Sequence, residues 1–363
     1  MKKTVLIAGA TGLVGYAAMK RFAREPACDV IAVSRRRPDD TYGARFVAAD
    51  LTDARQCGAV FAAMPEVTHV VFAALYERPG LVSGWREAEQ IAVNDAMLRN
   101  LLTPLEAAAS NLRHVTLLQG TKAYGVHVRP LKLPAREDRD EARDIPNFYW
   151  NQEDFLRARQ AGKPWSFSIL RPVLIVGEST GSAMNVIPAI GAYAALLKAD
   201  GRTDLPFPGG VERVAQAIDA DVLANVIAWC GDRPNAGNQT FNVTNGDAFT
   251  WPNVWPAIAR SLGMEPGAHV PQSLVETIAP RRDDWARLAV EHGLAQPDLD
   301  AFVGLSFQYA DYTMGYGRTT SGPPAIVSTI KLQQAGFHEV MDTEVMFARW
   351  FRVFQGKRLL PRV

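Results

Sequence analysis

With 363 residues, 48% of them hydrophobic, the chain has enough apolar mass for a large buried core. Its 39 Lys and Arg against 38 Asp and Glu leave a formal charge of +1, without the basic excess that a nucleic-acid partner demands. The three cysteines, Cys28, Cys57 and Cys230, have no metal-ligand spacing, which fits a reducing, cytoplasmic compartment and inert thiols.

Residues 5 to 15 read Val-Leu-Ile-Ala-Gly-Ala-Thr-Gly-Leu-Val-Gly, an apolar strand closing on Gly9, Gly12 and Gly15 before a helical stretch. That pattern predicts a dinucleotide cradle: Gly9 for the tight turn, Gly12 for close approach of a pyrophosphate, Gly15 for packing of the helix whose amide end faces the anion. Lys2 and Lys3 before an apolar run imitate a signal peptide, but cleavage would destroy the glycine turn. Residues 29 to 33 form a second strand, followed by Ser34-Arg35-Arg36-Arg37. Arg35 stands about 20 residues beyond the turn, where this fold reads the ribose, and guanidinium there suits the 2′-phosphate of NADP(H).

Further strands are expected at Phe46 to Ala49, ending at Asp50, then at His69 to Ala74, His114 to Gln119 and Phe167 to Val176, alternating with helical patterns. This is an α/β chain with a doubly wound parallel sheet of the Rossmann type. The nucleotide domain occupies 1–180. Residues 181–363 read as a smaller mixed substrate lobe, with about 211–245 returning to the sheet (a helix at Ala220 to Trp229, a strand at Thr240 to Val243). A helix follows from Trp251 to Leu262, then aromatic helices and loops from about 264 to 324. The apolar stretch Val186 to Leu197 contains Pro188 and is too short to span a bilayer. Met346 to Phe354 forms a helix against the core or a partner subunit, which leaves a homodimer open.

A tyrosine four residues before a lysine on one helix face would lower the phenol's pKa. Only Tyr16 and Lys20 have that spacing, and they lie in the first helix, away from any nicotinamide. After the fifth strand the available tyrosine is Tyr149, but the fourth residue beyond it is Glu153, a carboxylate that cannot depress a phenol. Lys122 leaves the carboxyl end of the fifth strand, where open α/β sheets collect ligands, and its stem is long enough to bring an ammonium there.

The glycine turn, Ser34-Arg-Arg36, Gln119-Gly-Thr-Lys-Ala-Tyr-Gly125, Pro146-Asn-Phe-Tyr-Trp-Asn-Gln-Glu-Asp154, Leu170-Arg-Pro172, Ser182-Ala-Met-Asn185 and Pro206-Phe-Pro-Gly209 together resemble the progesterone 5β-reductase and iridoid synthase-like (PRISE) group of extended short-chain dehydrogenases, over nearly the whole chain. The resemblance implies that Lys122 and Tyr149 are the catalytic pair and that NADPH reduces the double bond of a small enone or enal. It further implies Gly9, Thr11, Gly12, Leu13 and Val14 at the phosphates, Ser34, Arg35 and Arg36 at the 2′-phosphate, Asp50 and Leu51 at adenine, Ala74 and Gln119 along the ribose, and Ile175, Ser182 and Met184 toward the nicotinamide. Asp50 has an alternative role as cap of a helix beginning at Thr52 or Asp53, and Met184 and Ile175 an alternative place in the core. Arg129-Pro130-Leu131 replaces an aromatic wall of the family's pocket with a cation, and Trp150 replaces a second tyrosine. Carbonyl-acting or epimerase-like chemistry, and silent NADP(H) sensing, are the competing readings.

Overall fold

The computed structural model describes residues 2–78, 84–321 and 323–363. The chain divides into two compact units, one of residues 1–173, 221–243 and 327–339, the other of residues 174–220, 244–326 and 340–363.

The first unit is built on β1 (Lys3–Ala8), β2 (Cys28–Ser34), β3 (Arg45–Ala48), β4 (His69–Phe72), β5 (His114–Leu118), β6 (Ser166–Pro172) and an edge strand at Gln239–Val243. Their order, from one edge, is the Gln239–Val243 strand, β6, β5, β4, β1, β2, β3, and every pairing is parallel. Parallel strands covered on both faces read as unbroken apolar runs, as Val5 to Ala8 and Val30 to Val33 do; all eight are buried. Four helices serve the argument below: α1 (Leu13–Phe22), α2 (Ala54–Phe61), α3 (Ala88–Ala108) and α4 (Phe148–Gln160). Phe61, Leu98, Leu101, Leu105 and Leu156 from α2, α3 and α4 bury against Leu6, Val33, Val115, Leu117 and Ile169 of the sheet, and α1 packs against β1 and β2. The order reverses at β1, whose neighbours are β2 and β4, so the crevice for a ligand opens at their carboxyl ends.

Two expectations change. The sixth strand ends at Pro172, and Leu174–Val176 pairs separately with Ala217–Asp219 within the second unit; a proline cannot donate to a ladder. Asp50 caps nothing: α2 begins at Ala54, its N-cap is Asp53, and Asp53 accepts from the Arg55 and Gln56 amides.

In the second unit the helix Val186–Ala199 is buried from Val186 to Leu196 and capped by Asn185. The helix Thr343–Gly356 contains Met346 to Phe354 and buries Met346, Phe347, Trp350, Phe351 and Phe354; the Trp350 indole donates to Asp219 at 3.0 Å. Trp285 stacks on Phe302, centroids 4.9 Å apart. No helix among the described residues is long and apolar enough to cross a membrane.

At the amino ends of the strands, opposite the crevice, His69 and His114 are register partners on β4 and β5. His69 Nδ1 pairs with the Thr68 hydroxyl and His114 Nδ1 with the Ser166 hydroxyl. Burial, then the Lys3 charge, draws His69 down to about 4; burial, then His69, draws His114 down to about 3. Both rings stay neutral in the fold, whereas an unfolded chain protonates them near pH 6.5. Their contribution is therefore full above pH 6.5 and is lost as the pH falls toward 4. Urea midpoints measured between pH 7 and 4.5 should fall for the native protein and fall less for a His69→Gln/His114→Asn double variant; equal slopes would refute the assignment.

Candidate active site

The glycine turn is a cradle that side chains would fill. Gly9 has φ of +85°, a region that favours glycine, and a Cβ there would meet the backbone of Ala73 and Ala74 at 2.8 Å. A Cβ on Gly15 would stand 2.1 Å from the Gly9 carbonyl oxygen. Gly12 is the N-cap of α1, no side chain caps it and no acid occupies the first turn, which leaves the first-turn amides, at Leu13 and Val14, for an anion. Thr11 lies in the same turn. Ser34 is buried and its hydroxyl donates to the Arg36 carbonyl at 2.6 Å, which shapes the exposed turn carrying Arg35 and Arg36. Asp50 accepts from the Thr52 amide and hydroxyl; these bonds, with Arg35 contributing, hold its carboxyl below the usual range. Leu51 is buried in the core. The residues fit a dinucleotide: a backbone cradle, two exposed guanidiniums at the end of β2 and an ionised carboxylate after β3.

At the carboxyl end of β5 the backbone passes Gly120 and enters a short 3-10 turn, Thr121–Tyr124. A Cβ on Gly120 would stand 3.3 Å from the Tyr149 hydroxyl, which places that phenol over the strand end. Lys122 is reached from the same turn. Its Nζ lies 3.3 Å from the centroid of the Trp85 ring, and the Trp85 ring meets Tyr149 edge-on, centroids 5.4 Å apart. The Trp85 indole donates to Glu77 at 2.9 Å, fixing the ring that both groups touch. Burial draws the Lys122 ammonium down to about 7, against the pull of Glu77, and the aromatic face favours the charged form. Asn147, N-cap of α4, accepts from the Tyr149 amide and donates to the Lys122 carbonyl at 3.4 Å, joining the two segments. Tyr124, the other tyrosine here, donates to Asn242 at 2.6 Å, and burial pushes it up to about 12, so it is a strut. His127 is held to about 4 by burial, with Lys122 and Arg86 adding to the effect, and stays neutral.

Glu153, at the position where a lysine is usual, is 1% exposed and lies 3.1, 2.8 and 3.5 Å from Arg143, Arg157 and Arg171. Gln119 donates to Glu153 at 2.9 Å and accepts from Arg171 at 2.7 Å. Arg171, wholly buried, also donates to Glu141 at 2.6 Å and to the Tyr124 hydroxyl at 3.3 Å. Asp154 takes the other side of Arg143. Three carboxylates thus answer three guanidiniums beneath the strand end.

The Gln119 side chain is committed at both ends to this network, leaving its backbone for any ribose contact. Ala74 borders the glycine turn. Ile175, Ser182 and Met184 are half-buried in the second unit. Tyr16 pairs with Tyr42 at 3.2 Å and Lys20 with Asp221 at 3.6 Å, so neither serves the site. Arg129 is exposed and doubly bonded to Asp144 at 2.6 and 2.7 Å, which neutralises the cation. Trp85 escaped the sequence reading, and Arg171 entered it only within Leu170-Arg-Pro172, with no role of its own.

The model of the family described as "PRISE-like Rossmann-fold domain" matches residues 51–361. A short-chain dehydrogenase from Penicillium aethiopicum is 32% identical over 100% of both chains. An (S)-8-oxocitronellyl enol synthase from Camptotheca acuminata is 32% identical over 86% of this chain and 83% of its own, and a 3-oxo-Delta(4,5)-steroid 5-beta-reductase from Arabidopsis thaliana is 30% identical over 99% and 94%. The crystal structure of a UDP-glucose 4-epimerase from Bifidobacterium longum in complex with NAD+ and UDP superposes with a TM-score of 0.67 at 16% identity, covering 98% and 99% of the two chains; it shares the fold.

Removing one member of a buried charge network leaves the others unpaired, at a cost of about 3–5 kcal/mol. Glu153→Ala should lose stability on that scale in urea unfolding, and Glu153→Gln, which still accepts from Gln119, should lose less. A Glu153→Ala midpoint equal to the native one would contradict the network's role.

Proposed function

This chain belongs to the family of PRISE-like Rossmann-fold proteins and is an oxidoreductase of the short-chain dehydrogenase superfamily, and on that premise we propose that it uses NADPH to reduce a carbon–carbon double bond conjugated to a carbonyl. The observation that carries the reading is the pair of groups on Trp85: an ammonium against its face and a phenol at its edge, both at the carboxyl end of β5. The names of the relatives, an enol synthase and a 3-oxo-Delta(4,5)-steroid reductase, support it.

The glycine turn and the amide end of α1 would hold the pyrophosphate, Arg35 and Arg36 the 2′-phosphate, and Asp50 the adenine amino group. Reduced nicotinamide, when bound, supplies a hydride, and on this reading the acceptor is the β-carbon of a small enone or enal. The chain's own task is then the negative charge that accumulates on the substrate's carbonyl oxygen. Tyr149 donates its hydroxyl hydrogen to that oxygen, and the Lys122 ammonium stabilises the charge through the phenol. A preorganised donor of this kind is worth about 3 kcal/mol. Water protonates the α-carbon, so no further acid is needed. Ordinary carbonyl reduction with a Tyr-Lys helix pair is disfavoured because Glu153 holds the lysine's place among three arginines.

Incubation with NADPH and a panel of enones and enals should give the saturated carbonyl compound; an allylic alcohol, or no turnover of any of them, would overturn the assignment. Tyr149→Phe should lower kcat about 100-fold, Lys122→Met less, and native turnover in both would remove them from the chemistry. Because the charged form of Lys122 is required and lies below about 7, the native rate should fall as the pH rises through 7, with that limb absent in Lys122→Met.

The coenzyme preference is tested separately. Arg35→Ala/Arg36→Ala should raise the KM for NADPH at least about tenfold, the loss of one charge-assisted pair, while leaving that for NADH nearly unchanged. Parallel increases for both coenzymes would show that the arginines do not read the phosphate.

A further inference from the structure

The second unit contains an open recess walled by Phe207, Trp251 and Tyr312 and carrying Arg213, Arg318 and Glu212. We propose that it is a binding site for an oxyanion, a phosphate or carboxylate group carried on a planar or apolar body.

The walls are tied together by the backbone. The Trp251 indole donates to the Thr313 carbonyl at 3.0 Å, and the Gly210 amide donates to the Met314 carbonyl at 3.0 Å. A Cβ on Gly210 would stand 2.0 Å from the Gly315 carbonyl oxygen, so the turn after Phe207 is pressed against the turn that leads to Arg318. This fixes the two arginines in one recess. Arg318 lies over the Tyr312 ring, 5.5 Å from its centroid. Arg213 follows from the other side, just before the strand Val214–Ala215, which pairs antiparallel with Phe249–Thr250.

Two guanidiniums held together repel, and among the described residues neither has an ion pair. Three other arginines of this unit are matched, Arg202 with Asp204, Arg281 with Asp200 and Arg282 with Asp300. Burial, with repulsion from Arg318, lowers Arg213 from its ordinary value, which is the mark of a cation lacking its counter-charge. Glu212, also at the recess, is exposed and forms no ion pair with either arginine. A third positive feature faces the same space. The helix Trp251–Ser261 starts on the recess wall with Trp251 and Pro252, no side chain caps it, and its first turn holds no acid, so the positive end of its dipole is unopposed. Planar donors on two sides match the oxygens of a phosphate or carboxylate, and the aromatic rings accept an apolar or planar body behind it.

The test is calorimetric titration of the whole protein with sodium pyrophosphate and, separately, sodium citrate, at fixed ionic strength against a sodium chloride control. Saturable binding is expected, at least tenfold weaker in Arg213→Ala and in Arg318→Ala, with Arg213→Lys intermediate and Arg202→Ala unchanged. Pyrophosphate held at the glycine turn survives these substitutions, so the component they remove belongs to the recess, and because no turnover is read, the result is independent of the proposed reaction. Tighter pyrophosphate than citrate marks a phosphate ligand, and the reverse a carboxylate. Absence of saturable binding by either anion, or unchanged affinity in arginine variants that retain native circular dichroism, overturns the proposal.

Discussion

One carboxylate among three guanidiniums governs the arrangement at the strand end. Glu153 projects from α4 into the space under β5 and β6, where Arg171 rises from the sheet and Arg143 and Arg157 close from outside. A lone charge in so dry a place is costly, and the matching of three carboxylates to three arginines makes it tolerable. Glu153 and Arg171 are the two buried charges of the group, so removing either leaves the other desolvated with fewer partners. The group fixes the height of α4 above the sheet and, through Gln119, the path of the backbone leaving β5.

The reactive groups inherit their positions from that constraint. Tyr149 lies one helical turn before Glu153, on the same face of α4. Lys122 lies three residues beyond Gln119. Asn147 then links the two segments directly, capping the helix with one atom and reaching the Lys122 carbonyl with another. Trp85 supplies a hydrophobic plate that dehydrates the ammonium while its π face offsets part of the cost. The result is a cation that titrates near neutrality and a phenol held at a defined height, both prepared before any ligand arrives.

Much of this was legible in the chain. The glycine spacing after an apolar run has few meanings other than the first turn of a dinucleotide fold, because Gly9 and Gly15 are required by backbone contacts shorter than a Cβ permits. Strands β1, β2, β4 and β5 were readable because buried parallel strands are continuous apolar runs with turn residues at their ends. The sixth strand read too long, since Leu174 to Val176 carries the same apolar signal as its predecessor and only Pro172 marks the change of partner. Asp50 offered itself as the cap of a helix beginning at Thr52 or Asp53, but the helix begins at Ala54 and Asp53 is the carboxylate that meets its first amides. Trp85 left no trace because its role depends on distant side chains meeting it, not on any local period. Glu153 was visible only as a missing lysine, and its positive function as a hub required seeing Arg171 arrive from another strand.

The three arginines around Glu153 also bear on how this line of proteins can change. A substitution of Glu153 to Lys, the one step that would restore the common helix spacing of tyrosine and lysine, adds a fourth cation to a dry cluster and removes the carboxylate that neutralised it. The three arginines that now neutralise a carboxylate would face the new ammonium instead, so the common helix spacing cannot be restored here by that one substitution without losing the charge balance of the interior.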